Sequence, residues 1–224
     1  MSAPLVSAVF DLDGLLVDSE PVQIAAWQEF LSDYGQTLEP ELLGRLFGLR
    51  VRDTARVLVD ELRLPLTPEE VFAGREAIFF RLLEAGVTPM PAAVETVRAL
   101  GSRGLRLALA TSGHRRYADL VLEGLDLRGA FAVEVTGDDV ARGKPAPDIY
   151  LLAAERLGVP PAVCLALEDA PAGVASAVDA GMRCLAVPNE HTAGMPGLER
   201  ADAILPSLAA VVPWLAARGL LPSL

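Results

Sequence analysis

Four short stretches of the chain are apolar almost throughout: LVSAVF (5–10), LRLALA (105–110), VCLAL (163–167) and RCLAV (183–187), with FAVEV (131–135) a weaker fifth. Runs of this length without polar alternation predict strands buried on both faces, as in a parallel sheet. Between them lie amphipathic segments of helix length at 91–104, 114–125, 147–158 and 170–181. The first opens on Pro91 and closes at Gly104, and the others carry similar punctuation, the expected asymmetry of helix ends. Strand alternating with helix predicts an α/β fold of three layers, a parallel sheet with helices on both faces. Residues 17–88 interrupt the alternation. Their patterns are helical only, at 21–35, 41–47, 52–63 and 67–86. The chain therefore reads as a core built from 1–16 and 89–224, with a separate helical domain at 17–88 inserted after the first strand.

The length of 224 residues and an apolar content of 52% suit such a core, and with 5% aromatics its filling must be mostly Leu, Val and Ala. The formal charge is −11. An acidic chain repels nucleic acid and anionic membrane surfaces, so neither is an expected partner, and an anionic substrate would need locally placed cations or a metal. Cys164 and Cys184 fall inside strand-like runs and read as buried thiols in a reducing cytoplasm. The first ten residues lack the basic region of a signal peptide, and the run at 208–217 contains Pro213 and is too short to span a bilayer. The expected protein is cytoplasmic and monomeric.

Ligands of an open parallel sheet bind beyond the carboxyl ends of its strands, so the residues that follow each strand matter most. After the first strand come Asp11, Asp13 and Gly14; after LRLALA come Thr111, Ser112 and Gly113; after VCLAL come Glu168 and Asp169. Lys144 lies on the connection that follows the weak strand, and it is the chain's one lysine among 19 basic residues. Simpler duties are open to several of these. Asp169 precedes Ala170-Pro171 and suits a helix cap, Thr111 or Ser112 suits the helix near His114, Asp13-Gly14 suits a turn, and Ser19 suits the cap of the first inserted helix. Capping does not explain why acidic residues gather at successive strand ends beside the sole lysine.

The stretch GDDVARGKP imitates a phosphate-binding P-loop but has five residues between its glycines and Pro145 where a magnesium-binding hydroxyl belongs. No GxGxxG is present, and His114 and His191 are too few and too isolated for a histidine metal site. Carboxylates without His or Cys ligands suit a hard cation, Mg²⁺ above all, with Asp11 and Asp169 as ligands. A carboxylate beside such an ion can attack phosphorus, and Asp13 is placed to give and take the protons. Thr111, the amides after it and Lys144 would offset the phosphoryl charge. A lysine is a compact point charge, better suited than arginine's planar fork to touching a carboxylate and a phosphoryl oxygen together.

With these residues in place the sequence resembles the haloacid dehalogenase superfamily, in the branch of β-phosphoglucomutase and small sugar-phosphate phosphatases. The likeness rests on FDLDGLLVDSEP (10–21), Thr111-Ser112-Gly113, GKPAPDIY (143–150) and LEDAPAGVASAVDAG (167–181), in that order. It implies a Rossmann-like core with an inserted helical cap. It also implies Asp11 as nucleophile and Asp13 as general acid and base. Mg²⁺ would be held by Asp11, the Asp13 carbonyl and Asp169, with Glu168 acting through water, while Thr111 and Lys144 bind the phosphoryl group. An acidic residue at Asp13 argues against dehalogenation. Substrate contacts are expected from Ser112 and Gly113 in the core and from Gln23, Trp27, Gly48, Arg50 and Arg52 in the cap, which hinges near 15–18 and 86–89. Mutases of the branch are similar to one another in a histidine where this chain has Gln23 and a lysine where it has Phe47, which favours hydrolysis. The expected activity is a Mg²⁺-dependent phosphatase acting on a small phosphorylated metabolite, a sugar phosphate foremost. The alternatives are a phosphosugar mutase and a non-catalytic binding protein on the same scaffold.

Overall fold

The structure is a computed structural model that describes residues 4–39, 41–42, 46 and 51–222. Six strands are present among the described residues: β1 (Ser7–Phe10), β2 (Arg106–Ala110), β3 (Val133–Val135), β4 (Cys164–Glu168), β5 (Arg183–Ala186) and β6 (Ala203–Ile204). Eight helices are labelled here: α1 (Glu20–Ser32), α2 (Val51–Leu62), α3 (Pro68–Glu84), α4 (Ala93–Ser102), α5 (Arg115–Gly124), α6 (Asp148–Leu157), α7 (Pro171–Asp179) and α8 (Val211–Ala216). The strands form one parallel sheet in the order β3-β2-β1-β4-β5-β6. Chain order reverses between β1 and β4, which makes the carboxyl ends of those two strands the ligand-binding crevice of such a sheet.

The apolar strand runs hide an alternation in size. Val9, Ala108, Ala110, Cys164, Ala166, Cys184 and Ala186 share one core cluster with Ile149, Tyr150, Ala153, Leu157, Val174 and Ala177 of α6 and α7. Successive strand residues face opposite sides, so Phe10, Leu107, Leu109, Leu165, Leu167 and Leu185 face the other side, where α4 packs on β2. Small side chains admit α6 and α7 close to the sheet, and larger ones fill the space beneath the opposite layer.

Two compact units divide the chain, 1–18 with 87–224 and 19–86. These borders lie two residues inside the 17–88 expected for the insert. Backbone pairing explains the shift: Val17 bridges to Asp13 and Pro89, Asp18 N donates to Thr88 O at 2.9 Å, and Met90 N to Leu16 O at 2.9 Å. The segments leaving and re-entering the core thus pair with each other at 16–18 and 88–90.

The helical unit contains no strand among its described residues and packs Trp27, Phe30, Leu31, Ala55, Leu58 and Val71 into its own core. Its α3 starts with a capping box: Thr67 Oγ1 accepts from Glu70 N at 3.3 Å, and Glu70 Oε2 accepts from Thr67 N at 2.8 Å, with Pro68 opening the helix. Thr67→Ala should lower stability by about 1 kcal/mol in urea denaturation, since the Glu70 amide loses its side-chain acceptor. Ser19 occupies the N-cap position of α1 but makes no side-chain cap bond.

One expected helix start differs from the structure, and two short elements were not read from the pattern. Helix α4 begins at Ala93 rather than Pro91, because Ala92 adopts a left-handed conformation (φ 62°). Strand β6, two residues long, carries too short a pattern to read. Helix α8 contains Pro213, tolerated in its first turn because the missing amide has no intrahelical partner there. Among the described residues no helix is long and apolar enough to cross a membrane.

Candidate active site

Asp11, Thr111 and Glu168 each sit at the end of a strand ladder. Asp11 N donates to Leu167 O at 3.0 Å, continuing the β1–β4 pairing; Thr111 N donates to Val135 O at 3.0 Å, continuing β2–β3; and Val187 N donates to Glu168 O at 2.7 Å. The sheet thereby aims Asp11, Thr111, Glu168 and Asp169 from neighbouring strands at one edge, and all four are buried.

Lys144 arrives from the loop between β3 and α6. Ala146 N donates to Gly143 O at 3.0 Å, and Ser176 Oγ of α7 donates to Ala146 O at 2.6 Å, which pins the loop. The ammonium donates to three acceptors: Asp11 Oδ1 at 2.5 Å, Glu168 Oε1 at 2.6 Å and the Ala110 carbonyl at 3.0 Å. Three acceptors converging on one nitrogen match the three protons of an ammonium and not the planar fork of a guanidinium. Burial by itself would lower the Lys144 pKa, but the Asp11 and then Glu168 carboxylates raise it above the ordinary lysine value.

The acidic members respond to the same crowding. Burial first, then the negative charge of Asp11, pushes Glu168 up to about 7 even though Lys144 and Tyr150 both donate to it. Burial, Asp11 and Glu168 push Asp169 up to about 8. One carboxylate oxygen each from Asp11, Glu168 and Asp169 lies within 4.8 Å of the others. With all three carboxylates ionised, one ammonium leaves two negative charges, which a divalent cation would offset. An all-oxygen donor set of this kind fits a hard cation.

Asp169 does not cap the following helix; the N-cap of α7 is Ala170. Its Oδ2 instead accepts from Asn189 Nδ2 at 3.0 Å, and the same amide donates to the Gly14 carbonyl at 3.2 Å. Gly14 has φ 72° and lies so close to Asp169 and Asn189 that any side chain would displace them. Nor do Thr111 and Ser112 cap α5; His114 does, accepting from Tyr117 N through Nδ1. Thr111 Oγ1 accepts from Gly113 N at 3.0 Å, and Gly113 O accepts from Gly137 N at 2.8 Å, tying together the loops after β2 and β3. Ser112 is exposed. Arg115, Glu134, Asp139 and Arg156 brace the same loops with ion pairs.

Tyr117, Asn189 and Arg75 carried no sequence signal, and Tyr150 appeared only as the end of the motif GKPAPDIY. Tyr117 donates to Asp13 Oδ1, and the fully buried Tyr150 hydroxyl donates to Glu168 Oε1. Gly173 also serves the site: a Cβ there would fall on the Glu168 carboxylate. Gly173→Ala should cost about 1–3 kcal/mol by overpacking and weaken divalent-ion binding, seen by denaturation and by calorimetric metal titration.

In the helical unit, Arg75 is fully buried on α3 and donates to Gln23 Oε1 and to Glu76 Oε1. Its guanidinium lies 5.2 Å from the Trp27 ring and 4.4 Å from the Phe79 ring. Gln23 and Trp27 are thus brought together by an arginine not singled out from sequence. Arg52 is exposed and stacks on Phe72, 4.2 Å from the ring centroid. Gly48 and Arg50 lie outside the described residues.

Comparison with known proteins shows the family and the fold. The haloacid dehalogenase-like hydrolase family matches residues 7–181. A phosphorylated carbohydrates phosphatase of Thermotoga maritima is 35% identical over 180 residues, 79% of this chain and 82% of that protein. The fructose-1-phosphate phosphatase YqaB of Escherichia coli is 34% identical over 175 residues, 78% of this chain and 92% of its own. The crystal structure of CbbY from Rhodobacter sphaeroides in complex with phosphate superposes with a TM-score of 0.80 at 27% identity, covering 92% of this chain and 96% of that one. The parallel sheet with its reversal at β1 and β4, the acidic cluster there and the matching relatives place the chain in the haloacid dehalogenase-like hydrolases, in the β-phosphoglucomutase-like branch that also holds sugar-phosphate phosphatases.

Proposed function

We propose that the protein is a Mg²⁺-dependent phosphatase that hydrolyses a small phosphorylated metabolite, most readily a sugar phosphate, through a phosphate ester of Asp11. The observation that carries the reading is the convergence of Lys144 on Asp11 and Glu168 beside Asp169. The names of the relatives support the substrate class, because two of them are phosphatases of phosphorylated carbohydrates.

In this reading Asp11 attacks phosphorus and the ester O–P bond breaks, giving an aspartyl-phosphate. Asp13 protonates the departing alcohol oxygen. It then takes a proton from the water that attacks the aspartyl-phosphate, so phosphate leaves and both carboxyl groups return to their starting states. Lys144 holds the attacking carboxylate in place and offsets phosphoryl charge, and the Thr111 hydroxyl adds a donor. Asp11, Asp169 and the Asp13 carbonyl would hold Mg²⁺, with Glu168 acting through water. The ion's chemistry there is to neutralise the acidic cluster and the incoming phosphate. The helical unit is assigned the role of cap, with substrate selection at Gln23 and Trp27, which the buried Arg75 holds in place.

The test is phosphate release across sugar phosphates and nucleotides, with and without Mg²⁺ and with Asp11→Asn as the blank. Glucose phosphates are followed for isomerisation in the same assay. Mg²⁺-dependent release from a sugar phosphate is expected. Isomerised product in excess of free phosphate, dependent on a sugar bisphosphate primer, would replace this reading with a mutase.

A further inference from the structure

We propose that Tyr117 is a positioning residue for leaving-group protonation, orienting the Asp13 carboxyl through its hydroxyl. The inference rests on the acid–base role given to Asp13 above.

The main chain at Asp13 is already held. Gly14 N donates to Val17 O at 2.9 Å, and Asp13 bridges to Val17. Backbone alone does not set the rotation of a short carboxyl group. Here the Tyr117 hydroxyl donates to Asp13 Oδ1 from a ring that is buried, 4% exposed.

The ring itself has little freedom. Tyr117 N donates to His114 Nδ1 at the N-cap of α5, and the His114 and Tyr117 rings meet edge to face with centroids 6.4 Å apart. Gly113 clears the path: a Cβ there would stand 2.6 Å from Tyr117 Cδ1. A buried tyrosine normally satisfies its hydroxyl, and this one does so on the carboxyl that must meet the leaving oxygen. An oxygen that accepts the phenolic hydrogen bond is a poor seat for a second proton, so Oδ2 carries the proton that is exchanged. Asp13 passes that proton on as the ester O–P bond breaks and regains one from the attacking water. Tyr117 itself stays protonated throughout. Orientation of an acid to within a fraction of an ångström governs how well it works.

The test uses the full-length enzyme with Mg²⁺ and two probes, phenyl phosphate and 4-nitrophenyl phosphate, which differ in how much the departing oxygen needs a proton. The parameter is kcat/KM, which reports the steps up to loss of the leaving group. Tyr117→Phe keeps the ring and removes the donor. It should lose about 10-fold on phenyl phosphate and less than about 2-fold on 4-nitrophenyl phosphate. Asp13→Asn should show the same bias more strongly. Adding Tyr117→Phe to Asp13→Asn should change nothing further, as expected for two residues acting as one unit. Equal losses of Tyr117→Phe on both probes, or no loss on either, would overturn the inference while leaving the role of Asp13 intact. A flat response of Asp13→Asn would overturn the acid assignment itself, and the inference with it.

Discussion

Asp11→Asn is expected to lower turnover by at least about 10⁴-fold, in line with removal of a covalent nucleophile. The substitution is nearly isosteric, and the amide oxygen can still accept from Lys144, so the protein should remain folded. Incubation of the wild type with a ³²P-labelled phosphate ester, followed by acid quench and digestion, should place label on the peptide carrying residue 11. Rapid turnover with no label on that peptide, at quench times short enough to trap an intermediate, would remove Asp11 from the role given to it. A variant retaining a tenth of wild-type turnover would do the same.

The second large effect concerns Lys144. Its nitrogen donates to Asp11 Oδ1, Glu168 Oε1 and Ala110 O, and its side chain is 8% exposed. Lys144→Met would leave two buried carboxylates facing each other without a cation. Turnover should fall about 10²–10³-fold, the usual cost of removing a donor from developing charge. Stability measured without metal should fall by about 3 kcal/mol, because breaking a buried ion pair strands the remaining charge. Added Mg²⁺ should recover part of the stability and little of the turnover. Lys144→Arg is the sharper variant. It keeps the charge but replaces a point donor with a planar fork, and at least a 10-fold loss is expected. Near-wild-type turnover in Lys144→Arg would show that the site requires only a positive charge, and the geometric reason for a lysine in a chain of arginines would fall.

The cap assignments stand on a different footing from the core. The resemblance singles out Gln23 and Trp27 as cap residues, yet what defines their surroundings is Arg75, 52 residues after Gln23. Helical periodicity marks Arg75 only as one position on α3. A charged residue in the interior of an amphipathic pattern gives no warning of which groups will meet it.

Much of the core site was legible before any coordinates. Asp11, Thr111 and Glu168 each stand at the end of an apolar run, and in a parallel sheet such positions must fall on the carboxyl edge. Unbroken apolar runs and helix punctuation therefore sufficed for the alternating α/β core, for the helical block and for which polar residues share an edge. The order of strands across the sheet was not legible, because near-uniform apolar runs pair with one another without marking their partners. That order brings β4 against β1, and so Glu168 and Asp169 against Asp11. It also lets Lys144 reach a carboxylate 133 residues away and Tyr117 reach one 104 residues away. Local pattern determined the elements and the residues at their ends, since these depend on neighbours along the chain. The tertiary structure alone decided who touches whom, since a side-chain hydrogen bond is settled by the packing of distant segments and leaves no periodic trace in the sequence.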